Sequence, residues 1–184
     1  MSRSHNILVM ITRSCPWLRY YFSNAGALAY HIAMKLAKTL QLDVSDTQIF
    51  DRVAKVGEWA ITGTFAYIES DPSSWSNKNQ LAFRAAWLGI GSFGYSTFVQ
   101  ATEISTQEFK QTLQILAAYL AEEYNAPTQE AATMAAQQEL DDMAKLCNHP
   151  PGTLLAIERT ITEQNISEKT RIILPTSEFS KPLT

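Results

Sequence analysis

The chain has 184 residues, 46% hydrophobic and 18% charged, which is enough for one substantial core and too apolar for a disordered segment. Fifteen basic residues against 18 acidic ones give a formal charge of −3, so no electrostatic footprint points to nucleic acid or to an anionic membrane surface. The longest uncharged stretch, Ala85 to Thr102, is broken by Gly89, Gly91, Ser92, Gly94, Ser96 and Gln100, and no bilayer span is expected from it.

Met1 to Ala33 holds three arginines, four serines and neither Asp nor Glu, after which Met34-Lys35-Leu36 reads as a restart. The composition fits an organellar transit peptide, and Ala27-Leu28-Ala29 has the form of a secretory cleavage site, but Arg13 and Pro16 cut the apolar region that a secretory signal needs. A helix from Asn24 to Lys38 is a third reading, with Asn24 as its cap and Gly26 weakening its first turn. The favoured expectation is an extension upstream of the true start. Residues 1–33 then lie outside the fold, 34–174 form one domain, and 175–184 form a flexible tail.

Lys38 to Leu42 and Thr47 to Phe50 are short strand candidates around the turn Asp43-Val44-Ser45-Asp46. Glu58 to Ile68 reads as a strand because Trp59, Ile61, Phe65 and Tyr67 alternate onto one face, with Gly63 marking a bulge or close approach. Ser76 caps a helix expected to run to about Leu88 and to end on Gly89 in a left-handed conformation. Ser96 to Ile104 returns to strand.

Ser105-Thr106-Gln107-Glu108 is a capping box, and Phe109, Leu113, Leu116, Leu120 and Tyr124 follow at helical spacing up to Pro127. A further helix from about Thr128 sets Ala136, Leu140, Met143 and Cys147 on one stripe, and His149-Pro150-Pro151-Gly152 stops it. Thr153 to Thr162 and Lys169 to Leu174 read as a hairpin. The expected fold is α+β, a single domain with a mainly antiparallel sheet packed against about three helices.

Catalytic vocabulary is sparse. Gly89-Ile90-Gly91-Ser92-Phe93-Gly94 has dinucleotide-fingerprint spacing, but it is expected to leave a helix and enter a strand, the reverse of the order that aims a helix N-terminus at a phosphate. Cys147 and His149 invite a nucleophile-and-base reading. A helix C-terminus nevertheless raises a thiol pKa, and the pair is two ligands short of a zinc site. Asp43, Asp46, Asp51 and Glu58 form an acidic cluster near turns, suited to acid–base chemistry or to magnesium if two of them converge. The aromatic middle of the chain reads as core or as a binding face. No metal and no cofactor are expected.

The residues Asp43-Val44-Ser45-Asp46-Thr47 with Phe50, Gly57-Glu58-Trp59-Ala60 with Gly63 and Phe65, Gly89 with Ser92-Phe93-Gly94 and Ser96-Thr97, and Cys147 through Thr153 resemble a small bacterial family known only as a domain of unknown function. The resemblance spans Met34 to Leu174. It implies an accessory protein encoded near accessory genes of respiratory molybdenum enzymes and a lipoate-ligase-like protein, and it implies no active-site signature. The functional expectation is a cytoplasmic, non-enzymatic accessory protein that binds a protein partner or small ligand. Asp46, Glu58, Trp59, Cys147 and His149 are its candidate site. The alternatives are an enzyme using a carboxylate pair or Cys147 with His149, and a structural homodimer.

Overall fold

The structure is a computed structural model and describes residues 34–42, 44–68, 70–162 and 165–173. The expectations for residues 1–33, for Asp43 and for the tail 175–184 lie outside the described residues. In chain order the elements are β1 (Lys35–Leu40), α1 (Ser45–Ile49), β2 (Trp59–Ile61), α2 (Asn77–Ala85), β3 (Trp87–Gly89), β4 (Tyr95–Ser96), β5 (Phe98–Glu103), α3 (Thr106–Glu123), α4 (Gln129–Leu146), β6 (Leu154–Ile161) and β7 (Ile166–Ile173). Short 3-10 turns occupy Thr64–Tyr67 and Pro72–Ser74. The described residues fall into two compact units, Met34 with Ile104–Asp141, and Lys35–Glu103 with the residues from Asp142 onward.

The second unit holds a seven-stranded sheet in the order β4-β3-β2-β1-β5-β6-β7, and every neighbouring pair is antiparallel. This is the α+β architecture that the short connections between strands predict. β1 is central: Lys35 to Leu40 pair residue by residue with β5, while Ala37 and Lys38 pair with β2. Leu36, Ala37, Val99 and Ala101 are therefore sealed from solvent on these two inner strands.

In the first unit, α3 starts where the capping box predicts. The Glu108 amide donates to Ser105 Oγ at 3.2 Å and the Ser105 amide donates to Glu108 Oε2 at 3.0 Å, satisfying two N–H groups that the first turn leaves open. Phe109, Leu116 and Leu120 of its apolar stripe are buried. Thr128 caps α4 by accepting from the Ala131 amide at 3.1 Å. Along α4 the stripe of Ala132, Ala136, Leu140 and Met143 is fully buried, and Cys147 continues it. Burial of each Leu or Met side chain there is worth about 1.5–3 kcal/mol.

Four local expectations are corrected. Thr47 to Phe50 belongs to helix α1 and its cap: Thr47 Oγ1 donates to the Val44 carbonyl at 2.6 Å and the Phe50 amide to the Asp46 carbonyl at 2.9 Å, closing a helical turn that so short a segment could not reveal by periodicity. The strand expected over Glu58 to Ile68 stops at Ile61, because Gly63 takes φ = 68° and turns the chain into the 3-10 segment. A Cβ on Gly63 would stand 2.6 Å from Leu88 Cβ, so the close approach expected there is real.

Ser76 does cap α2, accepting from the Asn79 amide at 3.1 Å, but the helix ends at Ala85 and Gly89 lies in β3. The glycine run thus turns strand β3 into strand β4, with the Gly89 amide on the Gly94 carbonyl at 2.9 Å. Finally, Lys35 to Lys38 are in β1, so the helix considered over Asn24 to Lys38 does not extend through them. Pairing with β5 along the whole stretch, and with β2 at Ala37 and Lys38, overrides local helix propensity.

Candidate functional site

The two outer edges of the sheet are treated very differently, and two of the sequence-nominated residues, Asp46 and Glu58, bond at one of them. At the β4 edge, the loop after α1 runs beside the two-residue strand. The Ala54 amide donates to the Tyr95 carbonyl at 2.9 Å, the Tyr95 amide donates to the Arg52 carbonyl at 2.8 Å, and Val53 bridges Tyr95 in parallel. Gly94 permits this contact, since a Cβ there would be 2.4 Å from the Val53 carbonyl carbon.

Carboxylates fasten the same loop. Asp46, 5% exposed, accepts from Thr97 Oγ1 at 2.5 Å and from the Thr97 amide at 3.3 Å. Glu58 Oε2 accepts from Ser92 Oγ at 2.8 Å and from the Ser92 amide at 3.1 Å, inside the β3–β4 turn. Gly89 and Gly91 leave room for it: a Cβ on Gly89 would sit 2.5 Å from that oxygen, and one on Gly91 3.2 Å from the carboxyl carbon. The buried hydroxyl of Thr39 completes the set, donating to the Lys55 carbonyl at 2.6 Å and accepting from the Glu58 amide at 3.0 Å. Asp46 and Glu58 thus each hold a different turn, and no hydrogen bond joins the two carboxylates. Asp51, the remaining described acid of the cluster, pairs on the surface with Lys78 at 3.1 Å.

Trp59, beside Glu58 in β2, carries the Lys38 ammonium 4.3 Å from its ring centroid, across the β1–β2 pairing. Cys147 and His149 are elsewhere. They follow α4, and the Lys35 ammonium donates to the His149 carbonyl at 2.6 Å. Lys35 precedes Thr39 by four residues of strand, roughly 13 Å at about 3.3 Å per residue. The five nominated residues therefore form two groups at different ends of β1. Cys147 is fully buried, and desolvation pushes its thiol up to about 12 against the opposing charge of Lys35. It is a protonated thiol at neutral pH. Among the described residues no three His, Cys, Asp or Glu side chains are placed to share a metal ion.

Sequence reasoning missed the most heavily bonded side chain of this unit. Arg159 of β6 is 1% exposed. Its Nη1 donates to the Phe83 and Ala86 carbonyls, each at 2.9 Å, Nη2 donates to the Thr62 carbonyl, and Nε is shared between Thr64 Oγ1 at 2.7 Å and Glu168 Oε2 at 3.1 Å. Phe83 and Ala86 are the last turn and cap of α2, so a distant arginine ends this helix where the sequence suggested a glycine. Burial pulls the guanidinium pKa down from its ordinary value, and Glu168 opposes that.

Above it, Tyr67, Trp75, Phe83 and Tyr95 form a cluster of edge, tilted and stacked ring contacts with centroids 4.9–6.5 Å apart. This part of the aromatic middle of the chain is therefore packed ring on ring, and the Tyr67 ring lies 5.9 Å from the guanidinium carbon. One signal was available: Arg159 sits on the inward parity of Leu155 and Ile157, an unexpected place for a charge.

A family model described as a family of unknown function, DUF6505, matches residues 34–181. The protein belongs to this family. No curated protein and no solved structure matches it. The match begins at the methionine just before β1. Among the described residues, no helix is long and apolar enough to cross a membrane.

Proposed function

We propose that this protein is a non-enzymatic accessory protein of the cytoplasm that works by binding a protein partner or a small ligand. The observation that carries the reading is how the chemistry-bearing groups are used. Asp46 and Glu58 each accept a hydroxyl and an amide donor from a neighbouring turn, and the Cys147 thiol is buried and raised to about 12. Both carboxylates are used to brace a turn of the chain itself, which supports a scaffolding use. A nucleophilic cysteine needs a thiolate near neutral pH.

The resemblance supports a tie to the maturation of respiratory molybdenum enzymes. Deleting the gene in its host is expected to lower the activity of such an enzyme, and a copy carrying Cys147→Ala and His149→Ala is expected to restore it. Unchanged activity after deletion removes the accessory reading. A deletion rescued by the native gene but not by the double variant, when both proteins are equally folded, favours the Cys147–His149 enzyme instead.

A further inference from the structure

The edge opposite β4 ends in β7, which pairs with β6 over eight residues and has no strand on its other side among the described residues. Which of its backbone groups are open follows from the hairpin register. Thr162 and Asn165 exchange both amide-to-carbonyl bonds, at 2.8 and 3.4 Å, so they form a hydrogen-bonded pair. Alternation then turns the amides and carbonyls of Ser167, Lys169, Arg171 and Ile173 toward β6, and those of Ile166, Glu168, Thr170 and Ile172 away from it. The Ile166 amide is taken by Asn165 Oδ1 at 3.0 Å. Glu168, Thr170 and Ile172 are left with outward donors and acceptors that meet no backbone partner among the described residues, the arrangement that templates an added strand.

The side chains indicate what kind of strand fits. Ser167, Lys169, Arg171 and Ile173 share one face and are all exposed. They would occupy the non-hydrogen-bonded positions of a new antiparallel pair, where opposite side chains approach most closely. Arg171 is paired with Glu158 of β6, but both groups are largely solvated, so that ion pair is cheaply exchanged for another carboxylate.

A second copy of this chain fits poorly in the central registers, which pair most of β7. Two-fold antiparallel pairing of β7 with itself, centred on Glu168, Lys169 or Arg171, sets each residue against its own like charge, and centring on Thr170 sets Lys169 against Arg171. We propose that the open edge of β7 takes an extended acidic segment of a partner protein as an added antiparallel strand, with carboxylates opposite Lys169 and Arg171 and an apolar residue opposite Ile173. This rests on the partner-binding reading above and names the partner's chemistry.

The test uses the full chain and a labelled seven-residue peptide with valine at its second position, glutamate at its fourth and sixth and threonine elsewhere, so that the three fall opposite Ile173, Arg171 and Lys169; a lysine-for-glutamate peptide is the control, and binding is read by fluorescence anisotropy. Thr170→Pro removes one outward N–H and no bond to β6, as an edge strand tolerates. The acidic peptide is expected to bind, the basic one not. Thr170→Pro should weaken binding about fivefold or more, and Lys169→Glu with Arg171→Glu should reverse the preference. Equal binding of both peptides, no binding of either, or indifference to Thr170→Pro overturns the proposal. So does a dimer that Thr170→Pro dissolves, which would assign the edge to a second copy. Host-enzyme activity restored by the Thr170→Pro gene would defeat the β7 assignment and leave the accessory reading standing.

Discussion

One edge of the sheet is closed by the chain itself, and the other is open among the described residues. At β4 the strand is two residues long, its backbone is bonded to Arg52 and Ala54, and Asp46, Glu58 and Thr39 fasten the covering loop. At β7 the strand is eight residues long, and its ion pairs, Arg159–Glu168 and Arg171–Glu158, run inward to β6. The difference locates the chemistry. Polar side chains that look catalytic in the sequence secure the closed edge, while the open edge carries alternating cations and unspent backbone groups.

The comparison can be broken first at Arg159. Arg159→Met strands the Thr62, Phe83 and Ala86 carbonyls and releases Glu168, so a loss of about 3–5 kcal/mol is expected in urea denaturation. A loss under about 1 kcal/mol would mean that the β6–β7 hairpin is not anchored there. Gly94→Ala presses a methyl against the Val53 backbone and should cost about 2–3 kcal/mol, with faster exchange of the Ala54 and Tyr95 amides as the loop lifts. Asp46→Asn weakens the Thr97 contacts for about 1 kcal/mol, and in a double-mutant cycle with Thr97→Val the two changes should be clearly non-additive. Arg171→Gln at the solvated open edge should stay within about 0.5 kcal/mol, a null result that sharpens the contrast with Arg159.

The antiparallel α+β plan was legible because its signals are local. The Ser105–Glu108 box starts α3, and the 136–140–143–147 stripe is sealed. The β6–β7 hairpin lies within a few residues of its expected limits. What escaped depends on partners far along the chain. The end of α2 is set by Arg159, more than seventy residues away, and the strand expected through Phe65 is cut by the approach of Gly63 to Leu88. The candidate residues were individually placed near real polar contacts, but sequence could not show that Asp46 meets Thr97, that Glu58 meets Ser92, or that Cys147 and His149 sit apart from both. An acid that braces a turn and an acid that moves a proton read the same until the donors around it are known.

The central claim is the asymmetry of the two edges, and residue-resolved amide hydrogen exchange by NMR tests it most directly. The account predicts slow exchange for Tyr95 and Ala54, and an alternating pattern along β7, slow at Ser167, Lys169, Arg171 and Ile173 and fast at Glu168, Thr170 and Ile172. Uniform protection along β7, or rapid exchange at Tyr95, would contradict it.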